Sequence, residues 1–294
     1  MNGIMNKLLA KKVLSILLIL ALVCALSATA IRAAYGAGTK FVVLGDSISA
    51  GEGASDKAKS YAELIKSAKG FDLANFAVPG HASDDLLEIL AENEDAVQAI
   101  READIIDLSI GGNDLLHSNV ITLVLRLLIL GDESAADEYI DMFRVNFAVV
   151  IEKIRALNPD ALFIVQTLYN SMEGVPIVAG AYEVAIVKLN AVYRDYLAAH
   201  PGAYELADVY AAFKGREGLV FRDRIHPSDA GHEMIAQVLT AVMDETAPPE
   251  PAAGSNPGFF DQVGLFFLAL YDYLSYWLSI YSPLELLGKA FSFM

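Results

Sequence analysis

Two short segments, one near each end of residues 39–243, carry the residue types needed to cleave an acyl bond. The segment GDSIS (residues 45–49) places Ser47 directly after an apolar run, and the segment DRIHP (residues 223–227) places Asp223 three residues before His226. A serine hydroxyl is a weak nucleophile until an imidazole accepts its proton, and a carboxylate fixes the tautomer of that imidazole. We therefore predict Ser47 as nucleophile, His226 as general base and Asp223 as the partner of His226.

Acyl transfer also needs hydrogen-bond donors for the oxyanion of the tetrahedral intermediate. Three candidates are the backbone N–H of Ser47, the backbone N–H of Gly80 in VPGH (residues 78–81), and the side-chain amide of Asn113 in GGND (residues 111–114). His81 ends the segment VPGH and His117 follows the segment GGND, so we expect these two histidines to border and shape the pocket rather than to transfer protons.

The elements that position these residues alternate between short apolar runs and longer segments with helical periodicity, the pattern of βαβ units around a parallel sheet. The predicted strands are Lys40 to Leu44, Leu73 to Phe76, Ile105 to Ile110, Leu162 to Thr167 and Tyr204 to Ala207. The predicted helices are Tyr61 to Ala68, Ser83 to Ala91, Ala136 to Leu157, Ala181 to Ala199 and Ala230 to Met243. We read residues 39–243 as one α/β domain.

Parallel sheets bring the carboxyl ends of their strands to one edge, where ligands bind. Ser47 follows the first predicted strand, Gly80 the second and Asn113 the third. We therefore expect all three residues at the same edge of the sheet.

These segments, in this order, resemble the four sequence blocks of the SGNH, or GDSL, hydrolase family. The resemblance covers residues 39–243 and departs from the commonest nucleophile block at Ile48, where that block has leucine. It implies a three-layer α/β/α, flavodoxin-like fold with a central parallel five-stranded sheet. It also implies the catalytic roles given above for Ser47, Asp223 and His226, oxyanion roles for Gly80 and Asn113, and activity without a metal or other cofactor.

Composition excludes several other classes of function. The net charge is −16, with 21 basic and 37 acidic residues, which argues against binding to nucleic-acid phosphates. Cys24 is the only cysteine, and it lies in an apolar run near the N-terminus, so the predicted domain has no disulfide and no cysteine-ligated metal. The sequence contains no HxH or HExxH pattern of the kind that would suggest a metal site.

The sequence outside residues 39–243 has its own patterns. Residues 1–30 combine lysines, an apolar stretch and a small-x-small site, which predicts a signal peptide and export, with an uncleaved anchor as the alternative. Residues 244–258 read as a Pro-rich linker. Residues 259–294 form an apolar, amphipathic C-terminal segment. Its residues 259–281 fit a helix docked on the domain or a helix at a membrane interface, and Asp272 disfavours a spanning helix.

The substrate is less constrained than the chemistry. The apolar segment 119–130 follows the third block directly and fits either a buried core helix or a wall or lid of the pocket. As a wall or lid it favours a lipid-type ester over acetylated sugars. The alternatives are a carbohydrate O-acetyl ester of the cell envelope, a thioester, and a surface-tethered interaction protein without catalysis. The sequence does not give the oligomeric state.

Overall fold

The computed structural model describes residues 35–116, 126, 130–175 and 178–249 of the chain. All the helices and strands below belong to one compact unit, which begins at Gly36. His117 and residues 1–30 and 259–294 lie outside the described residues, as does the apolar segment 119–130 apart from Arg126 and Leu130. The linker 244–258 is described only to residue 249.

Five parallel strands form the central sheet, in the order β2-β1-β3-β4-β5. The strands are β1 Lys40–Gly45, β2 Asp72–Asn75, β3 Ile105–Ser109, β4 Leu162–Gln166 and β5 Glu205–Ala207. Each predicted strand is confirmed to within one residue at either end. All residues of β3 and β4 are buried, as expected of central strands that are covered by helices on both faces.

Nine α-helices and two 3-10 turns are described around the sheet. The helices are α1 Ser47–Ala50, α2 Tyr61–Lys69, α3 Ser83–Glu92, α4 Glu94–Glu102, α5 Gly112–Leu116, α6 Asp137–Leu157, α7 Val178–Ala199, α8 Val209–Phe213 and α9 Asp229–Met243. The 3-10 turns are Lys57–Lys59 and Glu133–Ala136. The five predicted helices are present, and α1, α4, α5 and α8 are additional.

The helices lie in two layers, one on each face of the sheet. The chain crosses the sheet in one direction from β1 to β2 and in the opposite direction from β2 to β5. Because crossovers between parallel strands are right-handed, α2 lies on one face of the sheet. The other face carries α3, α4, α6 and α7. In agreement, α3 packs on α6 and α2 packs on α9. The three-layer α/β/α prediction is confirmed.

The core lies between the sheet and these layers. Phe143 and Phe147 of α6 pack edge to face on Tyr193 of α7, and all three side chains are buried. The helices thus bury large aromatic groups against a rigid sheet. The loops after β1, β2 and β3 all leave this scaffold at its carboxyl edge, as the sequence predicts.

Candidate active site

Ser47 is the first residue of α1, at the point where the chain leaves β1. Asp46 caps this short helix, because its Oδ1 accepts a hydrogen bond of 3.0 Å from the backbone N–H of Ile48. Gly45 has a φ of +132°, and a Cβ atom there would lie 2.0 Å from the carbonyl oxygen of Ser109 on the neighbouring strand. Glycine therefore lets the turn begin tightly against β3.

His226 and Asp223 meet Ser47 from the loop before α9. Nε2 of His226 lies 3.0 Å from Ser47 Oγ, and Nδ1 lies 2.6 Å from Asp223 Oδ2. An ionised carboxylate only accepts hydrogen bonds, so the proton belongs on Nδ1, and Nε2 is left to accept from the serine. The structure thus brings together the three residues that the sequence predicts as catalytic.

Asp223 is held ionised by its hydrogen bonds. Burial raises the pKa of its carboxyl group, but hydrogen bonds from the His226 ring and from the backbone N–H groups of Ile225 and His226 outweigh burial and lower the pKa. These backbone bonds reach Oδ1 at 2.9 and 3.0 Å. One carboxylate therefore both shapes the loop and orients the imidazole.

The His226 loop is fixed to the rest of the domain at several points. The backbone N–H of Phe221 donates to the carbonyl of His226 at 2.8 Å, and the hydroxyl of Tyr169 donates to the carbonyl of Ile225 at 2.6 Å. Gly53, with a φ of +87°, passes so close that a Cβ atom there would lie 2.3 Å from the carbonyl oxygen of Pro227. The loop that follows the nucleophile is thus in direct contact with the loop that carries the base.

A cavity opens beside Ser47, and Asn113 also lines it. Its other lining residues are Asp46, Ile48, Gly112, Leu168, Tyr169, Ser171, Tyr182, Ile186 and Ile225. The side-chain amide of Asn113 donates one hydrogen bond, of 2.9 Å, to the carbonyl of His81. An amide nitrogen carries two hydrogens, so one N–H remains for a ligand in the cavity.

Gly80 lies beside the loop of Asn113 but does not line the cavity. It follows β2 with a φ of +87° and is exposed, and the bond between Asn113 and His81 holds its loop against the Asn113 loop. Among the predicted oxyanion donors, the structure therefore places Ser47 and Asn113 on one cavity and Gly80 at its side.

The two histidines predicted to border the pocket have different outcomes. His81 lines a separate groove beside α3 and α4, together with acidic residues that include Asp85, Glu88 and Glu92. Its backbone carbonyl, as the acceptor for Asn113, is its link to the cavity beside Ser47. His117 lies outside the described residues, so its pocket-shaping role stays a prediction.

Sequence reasoning missed the apolar and aromatic lining of the cavity. Leu168 and Tyr169 are the second and third residues after β4 and lie at the same edge as Ser47. Ligands bind at the carboxyl ends of parallel strands, and that rule could have found them. Tyr182 and Ile186 stand four residues apart on α7 and share one face of that helix. That spacing alone does not tell which face of α7 meets the site.

Asp46 contributes a carboxyl group to the lining of the cavity. Burial raises its pKa to about 7, although the hydrogen bond from Ile48 and the nearness of His226 lower it. Its cap on α1 gives it a structural role. Within the described part of the chain, no group of three or more His, Cys, Asp or Glu side chains could hold a metal ion, and no described helix is both long and apolar enough to cross a membrane.

Comparison with known proteins points to one family. The model of the GDSL-like lipase/acylhydrolase family matches residues 43–234. The chain is 28% identical over 220 residues to the uncharacterised protein YpmR of Bacillus subtilis (strain 168), covering 70% of this chain and 82% of that protein. It is also 28% identical over 220 residues to the spore germination lipase LipC of Bacillus licheniformis, covering 69% of this chain and 95% of that protein.

Solved structures agree with the family match. The lipase Lip_vut3 from a goat rumen metagenome superposes with a TM-score of 0.57 at 26% identity, covering 69% of this chain and 96% of that one. An extracellular lipase from Streptomyces rimosus superposes with a TM-score of 0.52 at 24% identity, over 69% of this chain and 99% of that one, and shows the same fold. The chain thus belongs to the GDSL-like lipase/acylhydrolase family and is an ester hydrolase.

Proposed function

We propose that the protein is a serine esterase that cleaves carboxylic esters through an acyl-enzyme on Ser47. The observation that carries this proposal is the unbroken hydrogen-bond chain from Ser47 Oγ through the His226 ring to Asp223, at 3.0 and 2.6 Å. These three side chains supply a nucleophile, a base and an orienting carboxylate in direct contact, beside a cavity.

In this mechanism Ser47 Oγ attacks the acyl carbonyl while His226 Nε2 takes the serine proton. The carbonyl oxygen becomes an oxyanion, which accepts hydrogen bonds from the backbone N–H of Ser47 and the second amide N–H of Asn113. Gly80 stands at the side of the cavity, so its backbone N–H has to reach the oxyanion from there to act as the third donor. His226 returns the proton to the leaving alcohol as its bond to the acyl carbon breaks. Water, deprotonated by His226, then attacks the acyl-enzyme and releases the carboxylic acid, and Ser47 regains its proton.

A lipid-type ester is the substrate we favour. Apolar side chains supply much of the cavity lining, including Ile48, Leu168 and Ile186, and apolar walls bind acyl chains better than sugars. The names of LipC and Lip_vut3, which describe lipases, support the same class. If the apolar segment 119–130 is a wall or lid of the pocket and not a core helix, it would extend this apolar wall.

A carbohydrate O-acetyl ester is the second candidate. The cavity volume is only about 40 Å³, which suits a short acyl group. A longer chain would have to run out of the cavity along the surface, whereas an acetyl group needs no such path. Thioester cleavage uses the same nucleophile and is the third candidate.

We also infer that the protein acts outside the cytoplasm, as a secreted or membrane-associated enzyme. The support is the signal-peptide pattern of residues 1–30 and the apolar segment 259–281, which suits a membrane interface.

Labelling with a fluorophosphonate probe tests the catalytic mechanism. We expect the wild type to be labelled and Ser47→Ala to be unlabelled, because the probe forms its bond only with an activated serine. Ser55→Ala is the matched control, since Ser55 bonds the exposed Asp229 instead of a histidine. A folded wild type that resists the probe, or a labelled Ser47→Ala variant, would reject Ser47 as the nucleophile; a non-catalytic interaction protein predicts the first of these outcomes.

A series of p-nitrophenyl esters from acetyl to palmitoyl tests the substrate class. For a lipid-type preference we expect kcat/KM to rise beyond the short acyl chains. A maximum at acetyl, falling steadily with each longer chain, would instead support the O-acetyl esterase.

A further inference from the structure

A buried polar network lies behind the nucleophile, away from the cavity. The hydroxyl oxygen of Tyr61, the first residue of α2, lies 2.6 Å from Asp107 Oδ2 and 3.0 Å from Ser49 Oγ. The side-chain amide of Gln166 donates to both carboxylate oxygens of Asp107, at 3.0 and 2.9 Å. None of these four side chains is more than 1% exposed. The reaction mechanism uses none of them.

The number of hydrogens sets the direction of this network. A tyrosine hydroxyl has one hydrogen, and Asp107 only accepts once it is ionised, above its raised pKa of about 7. In that state Tyr61 donates to Asp107 and Ser49 donates to Tyr61. The hydrogen bonds then run from Ser49 through Tyr61 to Asp107, which Gln166 also holds. Each polar group has a partner, as burial demands.

Ser49 ties the network to the nucleophile, because it stands on the same short helix as Ser47. Helix α1 has only four residues, too few to be stable on its own. The backbone carbonyl of Ser49 accepts a second tertiary bond, of 2.8 Å, from the side-chain amide of Asn75. Helix α1 is therefore held in place by tertiary contacts at Ser49.

Tyr61 is itself fixed independently of its hydroxyl. Its ring stacks on the buried His232 of α9, with 6.1 Å between the ring centroids, and its backbone N–H donates to His232 Nδ1 at 3.4 Å. Removal of the hydroxyl should therefore leave the ring in place and remove only the hydrogen bonds to Ser49 and Asp107.

We propose that Tyr61 is a positioning residue for catalysis: anchored on Asp107 of β3, its hydroxyl holds Ser49 and thereby sets the place of Ser47 Oγ relative to His226. The proposal rests on the role of Ser47 as nucleophile. Through Tyr61, the sheet would then help to align the reacting oxygen. Nucleophilic attack is sensitive to displacements of about 1 Å, so a loosened α1 should slow acylation.

Tyr61→Phe, Ser49→Ala and the double variant test this link, with Tyr204→Phe as the matched control. Tyr204 is another buried tyrosine, but its hydroxyl bonds the backbone carbonyl of Tyr193 in the core, far along the chain from the nucleophile turn. For each variant we would measure kcat and KM with a p-nitrophenyl ester, the rate of fluorophosphonate labelling, and the urea midpoint of unfolding.

We expect Tyr61→Phe and Ser49→Ala each to lower kcat and the labelling rate roughly 10-fold with little change in KM. A misplacement of about 1 Å can cost about 100-fold in rate, and we expect the loosened α1 to move Ser47 Oγ by less than that. Because the two side chains act through one hydrogen bond, the double variant should be no slower than the slower single variant. Tyr204→Phe should lower the urea midpoint and keep the wild-type kcat.

Other outcomes separate the failure of this inference from the failure of the proposed function. A labelled wild type together with unchanged kcat in Tyr61→Phe, or effects that multiply in the double variant, overturns the positioning role and leaves Ser47 as nucleophile. An unlabelled wild type overturns both. If Tyr61→Phe does not fold, Ser49→Ala decides alone, and wild-type kcat in that variant overturns the proposal.

Discussion

At the scale of single residues, Asp223 does two jobs that can be separated by one substitution. Its Oδ2 orients the ring of His226, and its Oδ1 accepts two backbone N–H groups that shape the loop. An asparagine could keep an acceptor for the backbone, but it has no second carboxylate oxygen to fix the tautomer in which Nε2 accepts from Ser47.

We predict that Asp223→Asn lowers kcat by about 10³- to 10⁴-fold with little change in KM, the scale of effect seen when a triad loses the correct imidazole tautomer. Steady-state kinetics on a p-nitrophenyl ester would measure it. Asp229→Asn is the control, because Asp229 is also held ionised, but by Lys59 and Ser55 on the surface. Equal losses in the two variants would contradict the assignment of Asp223.

At the scale of elements, the site depends on how closely the nucleophile loop and the base loop approach each other. Gly53 stands at their contact, where a Cβ atom would lie 2.3 Å from the carbonyl oxygen of Pro227 and 2.8 Å from Cβ of His226. Gly202 has a similar φ, +84° against +87°, but no atom within 4 Å of its Cβ position. Alanine at Gly202 therefore adds backbone strain alone, whereas alanine at Gly53 adds the same strain and a steric clash with the His226 loop.

Gly202→Ala should destabilise the fold by about 1–2 kcal/mol, the cost of a left-handed alanine, and leave kcat/KM unchanged. Gly53→Ala should cost more stability and also lower kcat/KM at least 10-fold, because the added methyl group pushes His226 away from Ser47. Urea unfolding and ester hydrolysis on the same samples would measure both. Full activity in a folded Gly53→Ala variant would show that the loops tolerate separation.

Asp107 makes the stability of the central sheet depend on pH. Burial raises the pKa of its carboxyl group from an ordinary 3.8 to about 7 in the folded protein. Hydrogen bonds from Tyr61 and Gln166 lower this pKa but do not outweigh burial. Between about pH 4 and 7 the folded state keeps a proton that the unfolded state has lost. The contribution of Asp107 to the free energy of unfolding therefore falls as the pH rises, by up to about 1.4 kcal/mol per pH unit, and is constant above about pH 7.

Asp107→Asn removes this titration. We expect the stability of the wild type relative to Asp107→Asn to decline from pH 4.5 to pH 7 and then to level off. Urea unfolding of both proteins across that range would test it, since all other titrating groups are common to the two. A difference that stays level or grows with pH would contradict the raised pKa, since a carboxylate ionised in both states adds no slope.

The sequence predicted the elements better than the contacts between them. Apolar runs and the parallel order of strands were enough to bring Ser47 and Asn113 to one edge. Helix α4 was missed because charged residues dominate it and only Ala96 and Ile100 are buried. The pairing of Tyr61 with Asp107 was out of reach for a different reason: their contact depends on how α2 packs on the sheet, and Asp107 alone reads as an interruption of a strand.

At the scale of the whole molecule, the described residues of the cavity and of the Tyr61 network all lie before residue 244 in the chain. Helix α9 packs on α2, and its last residue, Met243, is buried. Residues 259–281 lie outside the described part, so their docking on the domain or on a membrane stays a prediction from the sequence.

Truncation after Ala247 distinguishes the two sequence-based alternatives for that segment. If residues 259–281 form an interfacial helix, the truncated protein should keep the thermal midpoint and kcat of the full chain on a soluble ester, and its partitioning into detergent or neutral lipid vesicles should fall. If they form a helix docked on the domain, the apolar face that it covers becomes exposed to water. Burial of apolar area is worth about 25 cal/mol per Å², so truncation would then lower the thermal midpoint while partitioning stays unchanged. Thermal unfolding and vesicle flotation of the same two proteins therefore decide between a membrane contact and an internal one.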